Sequence, residues 1–275
     1  MEIQDLPVLP TVFHRVVHVT SDPRSSARDL TEIISKDPSL SARLLRIVNS
    51  AYYGFPSKVE SLLQAIAILG FVQVRRIIMS ISVFHLFSEK RSSLDRRLFW
   101  THAIAVATMA SEVAAIHSPA DKESAYLAGL LHDFGLLVLD QYFKQELEDA
   151  LMLCRAKRIP LVEAEMTAFG DNHAIMGGHI AKEWKFPPAL VEAIQFHHNP
   201  WEAEQNIKQT QILAFANMLV IEAGHPNIRL DHIKADYSLL DPTIAGDENS
   251  RAKLIGKLEK LMERESKLLN ALFAK

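Results

Sequence analysis

The chain has little of what several protein classes require. Its 275 residues include one cysteine, Cys154, so no intramolecular disulfide can form, and the composition suits a reducing compartment. It has no basic excess: 30 Lys and Arg against 33 Asp and Glu give a formal net charge of -3, without the broadly basic face that nucleic-acid binding usually needs. Long apolar runs are also missing. Leu62 to Gly70 and Ala125 to Leu139 are too short or too interrupted to span a bilayer. The opening Met1-Glu2-Ile3-Gln4-Asp5 lacks the basic, then apolar, pattern of a secretory signal. No stretch sustains period-2 alternation between hairpin turns, and no Gly-rich phosphate loop, internal repeat or low-complexity tract occurs. The expectation is a cytoplasmic globular chain with no nucleic-acid partner and no membrane partner.

What is present reads as helix almost throughout. Hydrophobic residues make up 48% and charged residues 23%, the balance of a core with a solvated surface. After Pro10, Val12, Phe13, Val16 and Val17 fall on one helical face. Ser26 and Asp29 have capping-box spacing, and Asp37-Pro38 pairs a cap with proline at the first helical position. Ser57 and Glu60 offer a second box before Leu62, with Gly70 as a stop. Further helices are predicted over about Phe71 to Phe87, Leu98 to Ile116, Glu123 to Tyr142, Lys144 to Lys157 and Leu161 to Ala168. Asn172 caps one running to Trp184, Pro187-Pro188 open one ending near His198, and Ile207 to Glu222 is another. Gly224 to Asn249 reads as a long connection. From Arg251, Leu254, Ile255, Leu258, Leu261, Met262, Leu268, Leu269 and Leu272 mark an amphipathic helix, packed on its own domain or against a partner.

Twelve histidines are an unusual supply for this length. His14, His18, His85, His117, His225 and His232 have no partner spacing. His179 lies about 240° round a helix from His173 and is left out. The sharper set is His102, the pair His132-Asp133, His173 and the pair His197-His198. Imidazole and carboxylate suit Fe, Mn, Zn and similar ions, and several histidines with one carboxylate are the material of a two-metal site. His132-Asp133 stands in an apolar run, Ala128 to Gly135, read as the inside of a helix, where an unpaired imidazole and carboxylate would be costly. Gly135 weakens such a helix and points to close packing there. The alternative is that the two polar residues hydrogen-bond other core groups.

Several separate motifs resemble one family. Leu131-His132-Asp133-Phe134-Gly135 resembles the signature of the HD superfamily of metal-dependent phosphohydrolases. The segments Leu6-Pro7-Val8-Leu9-Pro10, Ile33 to Leu40, Leu44 to Tyr53 and Ala65 to Gly70 resemble the HDOD branch, followed in order by His173 to Gly178, Trp184 to Pro187 and Ile194 to His198. The resemblance covers roughly residues 5 to 220. It implies an all-α fold: an HD-superfamily-like multi-helix bundle with an N-terminal helical subdomain, in bacterial signal transduction. The implied division is an HDOD domain over 5–222, split near 90, then a connection and C-terminal helix over 223–275.

Set against the related HD-GYP phosphodiesterases, the resemblance assigns His102, His132, Asp133, His173, His197 and His198 to metal-ligand positions. Asn217 stands where a late ligand Asp is expected, Leu136 replaces a phosphate-positioning Lys, and Leu98 replaces a carboxylate; no Gly-Tyr-Pro motif follows His198. A neutral amide holds a divalent ion less strongly than a carboxylate, and Leu136 offers a phosphate no charge. The resulting expectation is a non-catalytic regulatory module, with one or two divalent ions (Fe, Mn or Zn) at that set, binding a signalling protein or a nucleotide-like ligand, with oligomerisation left open. The alternatives are a working phosphohydrolase on a nucleotide or cyclic dinucleotide, and a structural module with vestigial histidines.

Overall fold

The computed structural model describes residues 11–21, 25–50, 53–84, 87, 92–230 and 235–273. The Leu6 to Pro10 motif, Tyr52, His85 and His232, and the side chain of His18, lie outside the described residues. The described residues are helical with no strand, the all-α class that the sequence predicts. Two compact units divide the chain, Met1–Phe87 with Glu263–Lys275, and Ser88–Met262.

The first unit contains α1 (Thr11–Ser21), α2 (Ala27–Ser35), α3 (Pro38–Val48), α4 (Leu62–Leu69) and α5 (Phe71–Phe84). Local signals set most of these boundaries. Ser26 and Asp29 form a reciprocal capping box, Asp37 accepts from Leu40 N ahead of Pro38, and Gly70 ends α4 at φ 85°. The Ser57–Glu60 box is not the cap of α4. Ser61 accepts from Gln64 N, and Gln64 Oε1 accepts from Glu60 N at 2.9 Å, because the helix begins only at Leu62. Asn49 ties the chain after α3 to the stretch before α4: its amide donates to Leu45 O and Val59 O and accepts from Val59 N at 2.7 Å.

The second unit is built around α6 (Arg96–His117), capped by Asp95. This helix is long and apolar enough to cross a membrane by length and composition, but 78% of that window is buried inside the fold. It packs against α7 (Lys122–Leu131) and α13 (Ile207–Glu222). Around it stand α8 (Phe134–Tyr142), α9 (Lys144–Lys157), α10 (Leu161–Phe169), α11 (His173–Glu183) and α12 (Pro188–Phe196). The α6–α7 approach is closer than side chains allow: a Cβ on Gly129 would stand 2.5 Å from Ala107 Cα. The connection after α13 is partly ordered as a 3₁₀ turn, Tyr237–Leu239, and the short α14, Pro242–Ala245. The final helix, α15 (Glu248–Phe273), buries Leu258, Met262, Leu268, Leu269 and Leu272, while Leu254, Ile255 and Leu261 of the same stripe are half-buried.

One predicted helix is two. The run from Glu123 to Tyr142 breaks between Leu131 and Phe134, and the break holds His132 and Asp133. Apolar periodicity continues through it because both flanking helices are buried on all sides, so the pattern cannot mark the break.

Two stability measurements follow. Gly129→Ala should cost about 1–3 kcal/mol in urea unfolding, since backbone must move to admit the methyl group. Gly256→Ala, mid-α15 with nothing within 4 Å of its Cβ position, should instead stabilise by about 0.5–1 kcal/mol. Glu265 on α15 is buried, which pushes its carboxyl above the usual range against the opposing pull of Arg76. A raised folded value means stability present at low pH and lost as pH climbs past the unfolded value of about 4.3. Glu265→Gln should therefore melt above wild type at pH 7, with the gap closing towards pH 4.

Candidate metal centre

The site residues come from four places in the second unit that the chain separates by up to a hundred residues. His102 lies in the second turn of α6. His132 and Asp133 fill the break between α7 and α8. His173 opens α11, positioned by Asn172, whose side chain accepts from Ala174 N and Ile175 N at 3.0 Å. His197 and His198 follow the last turn of α12. Gly135 allows α8 to reach α11: a Cβ there would stand 2.0 Å from His173 O. This is the close packing that a glycine beside the pair implies.

These side chains converge on the Asp133 carboxylate. Oδ2 lies 3.0 Å from His132 Nε2 and 3.5 Å from His102 Nε2; Oδ1 lies 3.3 Å from His173 Nε2 and 3.4 Å from His197 Nε2. His102 and His132 meet Nε2 to Nε2 at 3.2 Å, and His173 and His198 do so at 3.1 Å. Two groups of potential ligands result, sharing the carboxylate: His102, His132 and Asp133, and Asp133, His173, His197 and His198. His198 keeps some exposed surface, while the other five are buried.

Hydrogen bonds on the far side of each ring decide what faces inward. Nδ1 of His102 meets His225 O at 2.6 Å, Nδ1 of His132 meets Gly129 O at 2.8 Å, and Nδ1 of His197 meets Ile194 O at 2.7 Å. A carbonyl oxygen only accepts, so each Nδ1 carries a proton, and in its neutral form each ring turns a bare Nε2 lone pair inward. In that neutral form the lone pairs of His102 and His132 face each other across 3.2 Å and repel unless something electrophilic lies between them. Nitrogen ligands held at about 2.0–2.1 Å on a tetrahedral ion stand about 3.3–3.4 Å apart, close to the spacings found here. Asp133 Oδ1 and His197 Nε2 also have no hydrogen-bond partner in a buried setting, which costs free energy that an ion would recover. The donor set therefore fits one or two divalent ions.

The protonation pattern agrees. Burial, then the charge on His132, brings His102 down to about 4, and burial brings His197 to about 4 despite Asp133. His198 is held well below its usual value by burial and its neighbouring imidazoles. Asp133 stays ionised: burial opposes this, but His132, His173 and His197 hold its carboxyl well below the usual range. His173 goes the other way. Burial pulls it down, yet the Glu165 and Asp133 carboxylates carry it up to about 10. A proton at His173 Nε2 thus stands where a metal would supply positive charge, and metal binding would release it.

Asn217, on α13, is buried with its Oδ1 unpartnered, as a ligand oxygen would be, although Asn217 is not itself part of either His–carboxylate group. Leu136 is fully buried and apolar, so it can contribute neither charge nor donor. His179 is exposed, in keeping with its exclusion. Two contributors escape sequence reading. Glu165 on α10 accepts from His173 Nδ1 at 2.7 Å, and Asn227, after α13, donates to Asp133 Oδ2 at 2.6 Å. Neither belongs to the HD signature, and no sequence signal marks either of them.

Comparison with known proteins bears on the fold that carries these residues. An uncharacterised protein of Treponema pallidum (strain Nichols) is 26% identical over 220 residues, 79% of this chain and 42% of that one, so the chain spans under half of that relative's length. A Marinobacter aquaeolei structure, named as a candidate signal transduction protein, superposes with a TM-score of 0.83 at 23% identity, covering 100% of this chain and 63% of that one. A Shewanella amazonensis structure, named as a candidate phosphohydrolase, has a TM-score of 0.72 at 27% identity over 97% and 95% of the two chains. The HDOD domain family matches residues 6–200, and the chain therefore belongs to the HDOD domain family.

Proposed function

We propose that this chain is a cytoplasmic, regulatory HDOD module whose retained HD centre binds one or two divalent ions, Fe, Mn or Zn, and which acts through a signalling protein or a nucleotide-like ligand rather than through turnover. The observation that carries the metal assignment is the inward convergence of Nε2 lone pairs on one ionised carboxylate, with Nδ1 protons already committed to backbone carbonyls. His102, His132, Asp133, His173, His197 and His198 would hold the ions, with Asn217 as a further oxygen donor.

Two features favour binding over catalysis. Five of the six His and Asp ligands are buried, leaving His198 as the ligand with exposed surface, so a phosphodiester has little room to reach the ions. Leu136 places apolar surface where a cation would steady a phosphate, which removes stabilisation of developing charge. Bound ions of this class polarise a phosphoryl oxygen as Lewis acids. Here the residues that would orient that oxygen are absent from the sequence positions expected for them. The second reading, a metal-dependent phosphohydrolase on a nucleotide or cyclic dinucleotide, is supported by the six retained His and Asp residues and by the name of the Shewanella relative.

Elemental analysis of the purified protein should find one to two equivalents of Fe, Mn or Zn, lost in both His132→Ala and Asp133→Ala. Finding no metal, even after reconstitution with Mn²⁺ or Zn²⁺, would make the histidines vestigial. With metal loaded, hydrolysis of bis-p-nitrophenyl phosphate should stay at background. Turnover that disappears in Asp133→Ala would transfer the assignment to the phosphohydrolase reading.

A further inference from the structure

Glu165 is not one of the metal ligands, yet its placement separates the two halves of the centre. The side chain is fully buried on α10, and Oε2 alone accepts both N–H groups of His173: Nδ1 at 2.7 Å and the backbone N at 3.1 Å. Its Oε1 has no hydrogen-bond partner. A carboxylate confined in this way needs a cationic neighbour to offset the loss of water. The Nδ1 partners of His102, His132 and His197 are all carbonyl oxygens. His173 has a charged one. A carboxylate behind a histidine fixes its ring and raises the basicity of the nitrogen that faces the metal more than a carbonyl does.

The Asp133 carboxylate adds to the asymmetry. Oδ2, facing His102 and His132, already accepts from Asn227 at 2.6 Å, whereas Oδ1, facing His173 and His197, has no hydrogen-bond donor. One half therefore offers three imidazoles and an oxygen without a donor, with a carboxylate behind it. The other offers two imidazoles and an oxygen shared with an amide. Resting on the metal-centre reading above, we infer that Glu165 is a positioning residue that makes the His173–His197–His198 half fill first and hold its ion more tightly, while the His102–His132 half fills second. The competing explanation is that Glu165 only anchors α11 in the fold. In that case its removal lowers stability without favouring one half over the other.

Metal-free full-length protein titrated with Co²⁺, followed by visible absorption, and with Zn²⁺ against a competing chelator, tests this. Wild type should take up two equivalents of unequal affinity. The tighter one should persist in His102→Ala and disappear in His198→Ala. Glu165→Gln should weaken the tighter equivalent by about 10–100-fold, alter its Co²⁺ spectrum and leave the weaker one unchanged. That effect should vanish in a His173→Gln background, because the two residues act as one unit. Glu165→Asp, which keeps the charge but is one methylene shorter, should give an intermediate loss and carries the test if the glutamine variant does not fold. Unchanged affinity in the folded Glu165 variants, an equal loss at both positions, or loss of the tighter equivalent in His102→Ala would each overturn the inference. Failure of wild type to bind either ion would overturn it together with the metal centre. Two ions bound equally by wild type and variant would overturn the inference alone.

Discussion

The second unit is organised round a charge that an apolar interior does not accept readily. Asp133 is almost wholly buried at the end of α7 and remains ionised. An isolated carboxylate there would cost several kcal/mol, so the surroundings must supply positive charge or donors. They do so from all sides: four imidazoles approach within 3.5 Å, and Asn227 donates directly. The helices that carry these groups, α6, α7, α11 and α12, are held at distances that make the arrangement self-consistent. Displacing any one of them would leave part of the carboxylate without compensation.

Close backbone contact is what makes that convergence geometrically feasible. Gly129 lets α7 lie against Ala107 of α6, and its own carbonyl orients His132. Gly135 lets α8 meet the first residue of α11, the residue whose imidazole lies between Asp133 and Glu165. Packing and site chemistry are therefore not separable here. The glycines that close the helix interfaces bring the ligand-bearing helices together, and backbone carbonyls, Gly129 O among them, choose the tautomers.

Belonging to the HDOD family establishes a fold but not a reaction, since function is carried by the site and not by the architecture. On the proposed reading the chain keeps the nitrogen and oxygen donors that would hold ions, while Leu136, buried and apolar, stands at the position where the family resemblance puts a phosphate-positioning Lys. Retention of the ion-holding groups with loss of the substrate-facing ones is coherent physically. An ion that neutralises a buried carboxylate stabilises the unit whether or not any bond is broken nearby.

Much of this was determined by sequence alone. The all-α class followed from 3.6-residue periodicity, and caps such as Ser26–Asp29, Asp37–Pro38 and Asn172 marked boundaries because capping is a local hydrogen-bond problem that a few neighbouring residues solve. His102, His132, Asp133, His173, His197 and His198 were legible as a set, since their residue types and order carry the family signature. The break at His132–Asp133 was not, because helices buried on every side leave no polar face to show where one ends and the next begins. Glu165 and Asn227 were invisible for a different reason. Glutamate and asparagine are ordinary on a helix or loop, and only tertiary packing brings them to His173 and Asp133, eight and ninety-four residues away in the chain. Local chemistry is written in neighbouring residues; the direction in which a lone pair points depends on groups that meet only once the chain has folded.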